Sequence, residues 1–309
     1  MKRILKWLGV GIATLSALVV VTAVTVFLLS EHEIKRLYTE VQLRDIVVPA
    51  DADSILKGRR LATIYGCFNS CHGDHMQGAK LFDEPGIARI NAPNLTRVVR
   101  EYSNAELERL IRHGVKRDGT STWIMPSQMF QHLTDEDLGN VIAFVRSVPE
   151  VEGVEREVTL GPIGRIGIVT GKFKPLASTI QPSQAHAALT DRSDPMAFGR
   201  YMVMTTCTEC HGQKLQGDDF LKSPPLTVLA GYSDDSFRRL MKTGVAIGGR
   251  KLGLMSEVGE TRFPSLTDQE LEAMRVYLRS LYGETALARN PSDVKPTVSR
   301  VEISGMDEG

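Results

Sequence analysis

Cys207-Thr208-Glu209-Cys210-His211 puts two thiols and an imidazole within five residues. Cys67-Phe68-Asn69-Ser70-Cys71-His72 repeats the set with one more residue between the cysteines. Two thiols so spaced can bond to the two vinyl groups on one edge of a porphyrin. The His that follows directly can swing under the ring and bind iron through a ring nitrogen. Cysteine pairs also serve as half of a zinc site or as a redox dithiol. A zinc site built from both pairs would need no His at each position. The chain has four cysteines, all within these two motifs, so none is left for a disulfide or a separate metal site. The second motif therefore reads as covalent haem c attachment; for the first, taken alone, the longer spacing leaves the alternatives open.

An internal repeat joins the two motifs. With Cys71-His72-Gly73 on Cys210-His211-Gly212, Gln77-Gly78 falls on Gln216-Gly217. Pro93-Asn94-Leu95-Thr96 then matches Pro224-Pro225-Leu226-Thr227, and Tyr102-Ser103 matches Tyr232-Ser233. Gly114-Val115 matches Gly244-Val245, Leu133-Thr134-Asp135 matches Leu266-Thr267-Asp268, and Val145-Arg146-Ser147 matches Leu278-Arg279-Ser280. The halves read as copies of one domain, so one haem implies two. The first copy is longer by eight residues between its His and the matched Thr.

The repeat also picks out a sixth iron ligand. A c-type iron often takes a Met sulfur opposite its His, which raises the reduction potential. Among eleven methionines only Met125 and Met255 share a register, each eleven residues after the matched glycine. Met76, Met129 and Met241 have non-Met partners and read as packing or surface residues; a shared core position is the alternative for the matched pair.

On these motifs the chain resembles the class I cytochromes c over residues 51–150 and 188–285. The resemblance covers a helix, the Cys/His motif, a Pro-containing loop, a helix, an axial Met and a C-terminal helix. It implies that Met125-Pro126 is the family's Met-Pro pair. It also implies that Pro93 and Pro224 accept a hydrogen bond from the axial histidines through their carbonyls, fixing tautomer and orientation. The iron ligands it implies are His72 with Met125 and His211 with Met255. The extra residue in the first motif departs from the family pattern and bears on whether both thioether bonds form there.

The elements that must position these residues read as helical. Thr134-Asp135-Glu136-Asp137 has capping-box spacing before Leu138, Val141, Ile142 and Val145. Thr267-Asp268-Gln269-Glu270 caps the matching helix, and Ser103-Asn104-Ala105-Glu106 starts another. Gly114 and Gly244 are expected C-caps. No run alternates at length, so the fold class expected is all-α: an N-terminal transmembrane helix followed by two class I cytochrome c domains.

Lys2, Arg3 and Lys6 precede an uncharged stretch of 23 residues, Trp7 to Leu29, long enough to cross a bilayer. No small-residue cleavage site follows it, so residues 1–30 read as an uncleaved single-pass anchor. Residues 31–50 read as a juxtamembrane segment, 151–187 as an interdomain linker draping over both domains, and 286–309 as a mobile tail. As a family property, haem c is attached outside the cytoplasm, which places the haem domains on the periplasmic side of a bacterial inner membrane.

Basic and acidic residues number 37 each, and residues 51–150 and 188–285 each hold 12 basic and 13 acidic residues. Neither domain has the basic excess that nucleic-acid binding needs. His75, His113 and His132 have no repeat partner and read as solvated surface groups. Two irons each closed by His and Met offer no site for substrate, which favours an electron carrier over an enzyme. The implied partners are redox proteins: a dehydrogenase catalytic subunit, an oxidase or another cytochrome. Gly161-Pro162-Ile163-Gly164-Arg165 and the tandem domains are similar to cytochrome subunits of membrane-bound bacterial dehydrogenases. A dihaem subunit of a terminal oxidase, a dihaem peroxidase and a haem-sensing protein are the alternatives.

Overall fold

A computed structural model describes residues 2–180, 189, 191–219 and 221–286. The tail expected at 286–309 lies outside the described residues beyond Ala286, as do the end of the expected linker at 181–187 and residue 188, where the second domain was expected to begin.

The chain starts with α1 (Lys2–Ile34), which is long and apolar enough to cross a membrane and leaves its apolar side chains uncovered. The first half then runs α2 (Ala52–Ile64), β1 (Ala79–Glu84), β2 (Ala88–Ala92), α3 (Leu95–Glu101), α4 (Asn104–His113), α5 (Ser127–Phe130) and α6 (Asp135–Ser147). Strand β3 (Glu157–Leu160) and α7 (Pro162–Val169) follow. The second half holds α8 (Pro195–Thr206), α9 (Thr208–His211), α10 (Asp234–Thr243), α11 (Leu254–Thr261) and α12 (Asp268–Ala286).

In each half the first helix crosses the last, α2 on α6 and α8 on α12. A glycine sits at each crossing. A Cβ on Gly58 would lie 1.8 Å from the Asn140 carbonyl oxygen, and one on Gly199 would lie 2.0 Å from that of Ala273. The backbones touch there, so even a methyl group must push the pair apart. Gly199→Ala should therefore lower the denaturation midpoint by the equivalent of ~1–3 kcal/mol. Gly231→Ala, with nothing within 4 Å of the new methyl, should leave it nearly unchanged.

The cap signals hold in α4, α6, α10 and α12. Ser103 and Glu106 form a reciprocal capping box, and the left-handed glycines Gly114 (φ 67°) and Gly244 (φ 66°) end α4 and α10. Thr267 and Glu270 form a second full box, with N–H to oxygen distances of 2.7 and 3.1 Å. At α6 only half of the expected box exists. Thr134 accepts the Asp137 N–H at 3.1 Å, but the Asp137 carboxylate turns instead to Tyr201 and Arg192 of the second half. A buried carboxylate gains more from a cation and a hydroxyl than from one exposed amide.

The fold is mainly helical, with one addition to the all-α expectation. β1, β2 and β3 form an antiparallel sheet in that order. The β1–β2 hairpin lies between Gly78 and Pro93, where the first copy carries its extra residues. β3 comes from the segment read as a linker. That segment packs on the first half and on the anchor: Trp123 and Phe173 meet at 5.0 Å between ring centroids, and α7 lies against α1. The juxtamembrane segment is likewise a strap on the first half. Tyr38, Val41 and Ile46 are buried, and Arg44 pairs with Asp135 at 2.6 Å and with Glu108 at 3.2 Å.

The buried residues of both halves form one continuous apolar cluster. Polar pairs close its edge. Arg60 of α2 grips Glu270 of α12 through two bonds of 2.8 and 2.9 Å, and Arg192 meets Asp137 at 2.8 Å.

Candidate functional site

Each half brings its motif residues together in the same way. In the second half, α8 ends at Thr206 and the short α9 follows, so the His211 N–H reaches the Cys207 carbonyl at 2.9 Å. In the first half the matching bond, from the His72 N–H to the Cys67 carbonyl, closes at 3.3 Å over one more residue. Asn69 absorbs that residue by adopting a left-handed φ of 58°, a conformation Asn tolerates better than most residues. The insertion is taken up inside the motif, and the following chain returns to register. The Gly78 N–H binds the His72 carbonyl at 2.9 Å, as the Gly217 N–H binds that of His211 at 3.0 Å. The Leu95 N–H binds the Met76 carbonyl at 2.9 Å, as the Leu226 N–H binds that of Leu215 at 2.9 Å. Met76 and Leu215 even share a left-handed φ of 58°.

These bonds carry a prolyl carbonyl to each imidazole. Nδ1 of His72 lies 3.0 Å from the Pro93 oxygen, and Nδ1 of His211 lies 2.7 Å from the Pro224 oxygen. A carbonyl can only accept, so Nδ1 must carry the proton and Nε2 keeps its lone pair for a metal. Burial holds both imidazoles below the ordinary histidine pKa, outweighing the carbonyl that raises it. Both rings are thus neutral, the ligating form.

The four thiols are free and half-buried. Burial pushes Cys67 up to about 12 and Cys207 and Cys210 up to about 11, and raises Cys71 as well. Zinc binding and dithiol exchange both use thiolates, which such surroundings disfavour. Among the described residues no three His, Cys, Asp or Glu side chains converge on one point, so the two cysteine pairs do not combine into a zinc cage.

Met125 precedes α5 and Met255 lies in α11. Both are only partly buried, whereas Met76, Met129 and Met241 are 0, 1 and 3 % exposed core residues. The pair belongs with other partly buried residues that pack on the core: Leu95, Tyr102, Leu110 and Cys67 in the first half, and Leu229, Tyr232, Val258 and Cys207 in the second. All pack on the core yet stay partly uncovered. A flat apolar group carrying a metal would cover those faces, and the donor set offers it a neutral imidazole and a thioether. The residues of both halves fit haem c.

Two of the unmatched histidines differ from expectation. His113 is buried, and the His132 ring lies 2.8 Å from Gln213 Oε1 at the contact between halves, while His75 is exposed. Arg262 is a site residue that sequence reasoning missed. Its guanidinium binds Glu209, between the second pair of cysteines, at 3.0 Å and Ser70, between the first pair, also at 3.0 Å. It follows Met255 by seven residues, just as His132 follows Met125. Each of these two residues reaches across to the Cys/His segment of the other half, Arg262 to Ser70 and His132 to Gln213, so the two segments face one another over the interface. A hydrogen-bonding nitrogen side chain at that shared offset was the available signal.

Comparisons with known proteins follow the same division. Residues 54–145 match the family model described as cytochrome c oxidase, cbb3-type, subunit III, and residues 197–282 match that described as cytochrome c. The fructose dehydrogenase cytochrome subunit of Gluconobacter japonicus is 26% identical over 265 residues, covering 75% of this chain and 54% of that protein. The alcohol dehydrogenase (quinone) cytochrome c subunit of Gluconacetobacter polyoxogenes is 27% identical over 274 residues, covering 75% of this chain and 57% of the relative. The gluconate 2-dehydrogenase cytochrome c subunit of Pantoea cypripedii is 24% identical over 229 residues, covering 63% and 50%. The chain thus spans about half the length of the curated relatives it matches.

Proposed function

Because the chain carries two cytochrome c domains, one in each half, we propose that it is a membrane-anchored dihaem electron-transfer subunit of a dehydrogenase. The observation that carries this reading is the duplicated geometry at His72 and His211, each with Nδ1 spent on a prolyl carbonyl and Nε2 free. Cys67 with Cys71, and Cys207 with Cys210, would attach the haems, and His72, Met125, His211 and Met255 would bind the irons. Bound haem c supplies one-electron redox chemistry. The protein's part is to fix each imidazole, present a thioether, exclude water with the apolar faces around both, and hold the two attachment loops against one another. No substrate-reacting group is needed for that work.

The relatives described above are all named as cytochrome subunits of dehydrogenases, which supports a dehydrogenase catalytic subunit as electron donor over an oxidase assignment. The oxidase-subunit family model covers the first half only. The anchor α1 keeps its basic end on the cytoplasmic side and the haem domains on the periplasmic side, where they meet partners by diffusion in the membrane plane.

Mass spectrometry of the denatured protein isolated from membranes should give the polypeptide plus two haem masses. Redox titration should give two one-electron steps, and turnover with peroxide alone should be negligible. One added haem mass would withdraw the assignment at Cys67 and Cys71. Rapid peroxide reduction by the half-reduced protein would favour the peroxidase alternative.

A further inference from the structure

Helix α7 (Pro162–Val169) shows two faces of opposite character. Its inner face carries Gly164, Arg165 and Ile168. A Cβ on Gly164 would lie 2.2 Å from the Ile87 carbonyl oxygen, so this face sits directly on the tip of the β1–β2 hairpin. Ile168 is buried. The Gly161 and Ile163 amides bind the Ile87 and Gly86 carbonyls at 2.8 Å each, locking the helix start to the hairpin. The outer face is apolar and open: Ile163, Ile166 and Val169 are 58, 50 and 37 % exposed. Spacing of three residues keeps them on one side of the helix.

The place of this face decides what covers it. Arg165 ties α7 to the end of the anchor. Its guanidinium lies 4.5 Å from the Phe27 ring centroid, binds Ser30 Oγ at 2.8 Å and pairs with Glu31 at 2.8 Å. At 1.5 Å per residue, Trp7 to Phe27 of α1 spans about 30 Å, the thickness of a bilayer's hydrocarbon core. With the basic residues Lys2, Arg3 and Lys6 at one surface, Phe27 lies at the other. A helix held against Phe27, Ser30 and Glu31 then lies at the level where hydrocarbon gives way to headgroups. Three exposed apolar side chains there are unfavourable in water and favourable in lipid. The one charge on the helix faces inward and is paired with Glu31, so it does not oppose insertion.

We infer that α7 is a second membrane contact: an interfacial helix that seats Ile163, Ile166 and Val169 in the outer lipid leaflet beside the exit of α1. This rests on the reading of α1 as a membrane anchor. It changes the role of the Gly161-Pro162-Ile163-Gly164-Arg165 segment from spacer to foot. Since α7 is bonded to the hairpin and β3, the foot fixes the tilt of the first haem domain on the bilayer, which a single helix anchor with a flexible exit would leave free.

The test is site-specific photocrosslinking of the full chain in native membranes. A diazirine-bearing aliphatic amino acid replaces Ile163 or Ile166 in separate variants, with Val228 of the second half, 47 % exposed, as the control position. After illumination, phospholipid adducts on the peptides holding positions 163 and 166, and none at 228, are expected. Crosslinks to another polypeptide at 163 and 166 would make this a protein-docking face and overturn the inference, as would recovery of the water-quenched residue alone. An alkaline carbonate wash of the same membranes tests the anchor separately. Protein that stays in the pellet but gives no lipid adduct refutes only the role of α7. Protein that washes out refutes the anchor reading itself.

Discussion

Met125→Ala is expected to leave haem c attached through Cys67 and Cys71, to let the reduced protein bind carbon monoxide, and to lower one of its two midpoint potentials. Met255→Ala should do the same to the other. A thioether opposite His raises the potential, and axial ligation commands a span of roughly 0.8 V across haem proteins. The fall should therefore exceed that of any substitution that leaves both ligands in place. The far-red sulfur-to-iron charge-transfer band should lose about half its intensity in each variant. Met125 and Met255 share an offset from the αL glycines Gly114 and Gly244, and both stay partly uncovered on the core. Met129 provides the control, since it is 1 % exposed in the core. Met129→Leu should change the denaturation midpoint slightly and the spectrum not at all. The reverse outcome, with Met125→Ala silent and Met129→Leu abolishing the band, would reassign the ligand to Met129.

The features legible in the sequence are those fixed within a few residues. The Ser103 and Thr267 caps, the C-cap glycines and the repeat register are local, and the structure reproduces them. Some of what was missed depends on contacts between distant segments. β3 pairs with β2 across more than sixty residues, so no local alternation announced the sheet. Asp137 had capping-box spacing, yet its partners Arg192 and Tyr201 lie in the other half, and for this buried carboxylate a cation with a hydroxyl outcompetes the local amide. Residues 31–50 show no sustained helical or strand periodicity and read as a juxtamembrane segment. Distant partners make them a strap: the first half buries Tyr38, Val41 and Ile46, and Glu108 and Asp135 pair with Arg44. The same holds for Arg165, whose partners Ser30 and Glu31 are in the anchor.

Arg262 is the sharpest case of such long-range chemistry, and its removal should disturb both haem sites together. The side chain is largely buried, and its fork satisfies Glu209 in one attachment loop and Ser70 in the other. In Arg262→Ala the part-buried Glu209 carboxylate loses its cation, a cost of up to ~1–3 kcal/mol by the usual penalty for a stranded polar group. Two consequences follow. The contact between halves should loosen, read as faster amide exchange around Ser70 and Glu209. Both potentials should fall, because a positive charge leaves and a negative one is uncovered beside the attachment loops. A tenfold change in a one-electron equilibrium is about 59 mV, and a shift of that order is expected. Arg262→Lys separates the two effects. Lysine keeps the charge but cannot bind both partners through a planar fork. Its potentials should stay near the parent values while exchange at the interface rises. Glu209→Gln should move the potentials upward, and the double variant with Arg262→Ala should fall short of the sum of the singles, since both act through one contact. Unchanged potentials in Arg262→Ala would mean that the bridge holds the halves together without tuning either site.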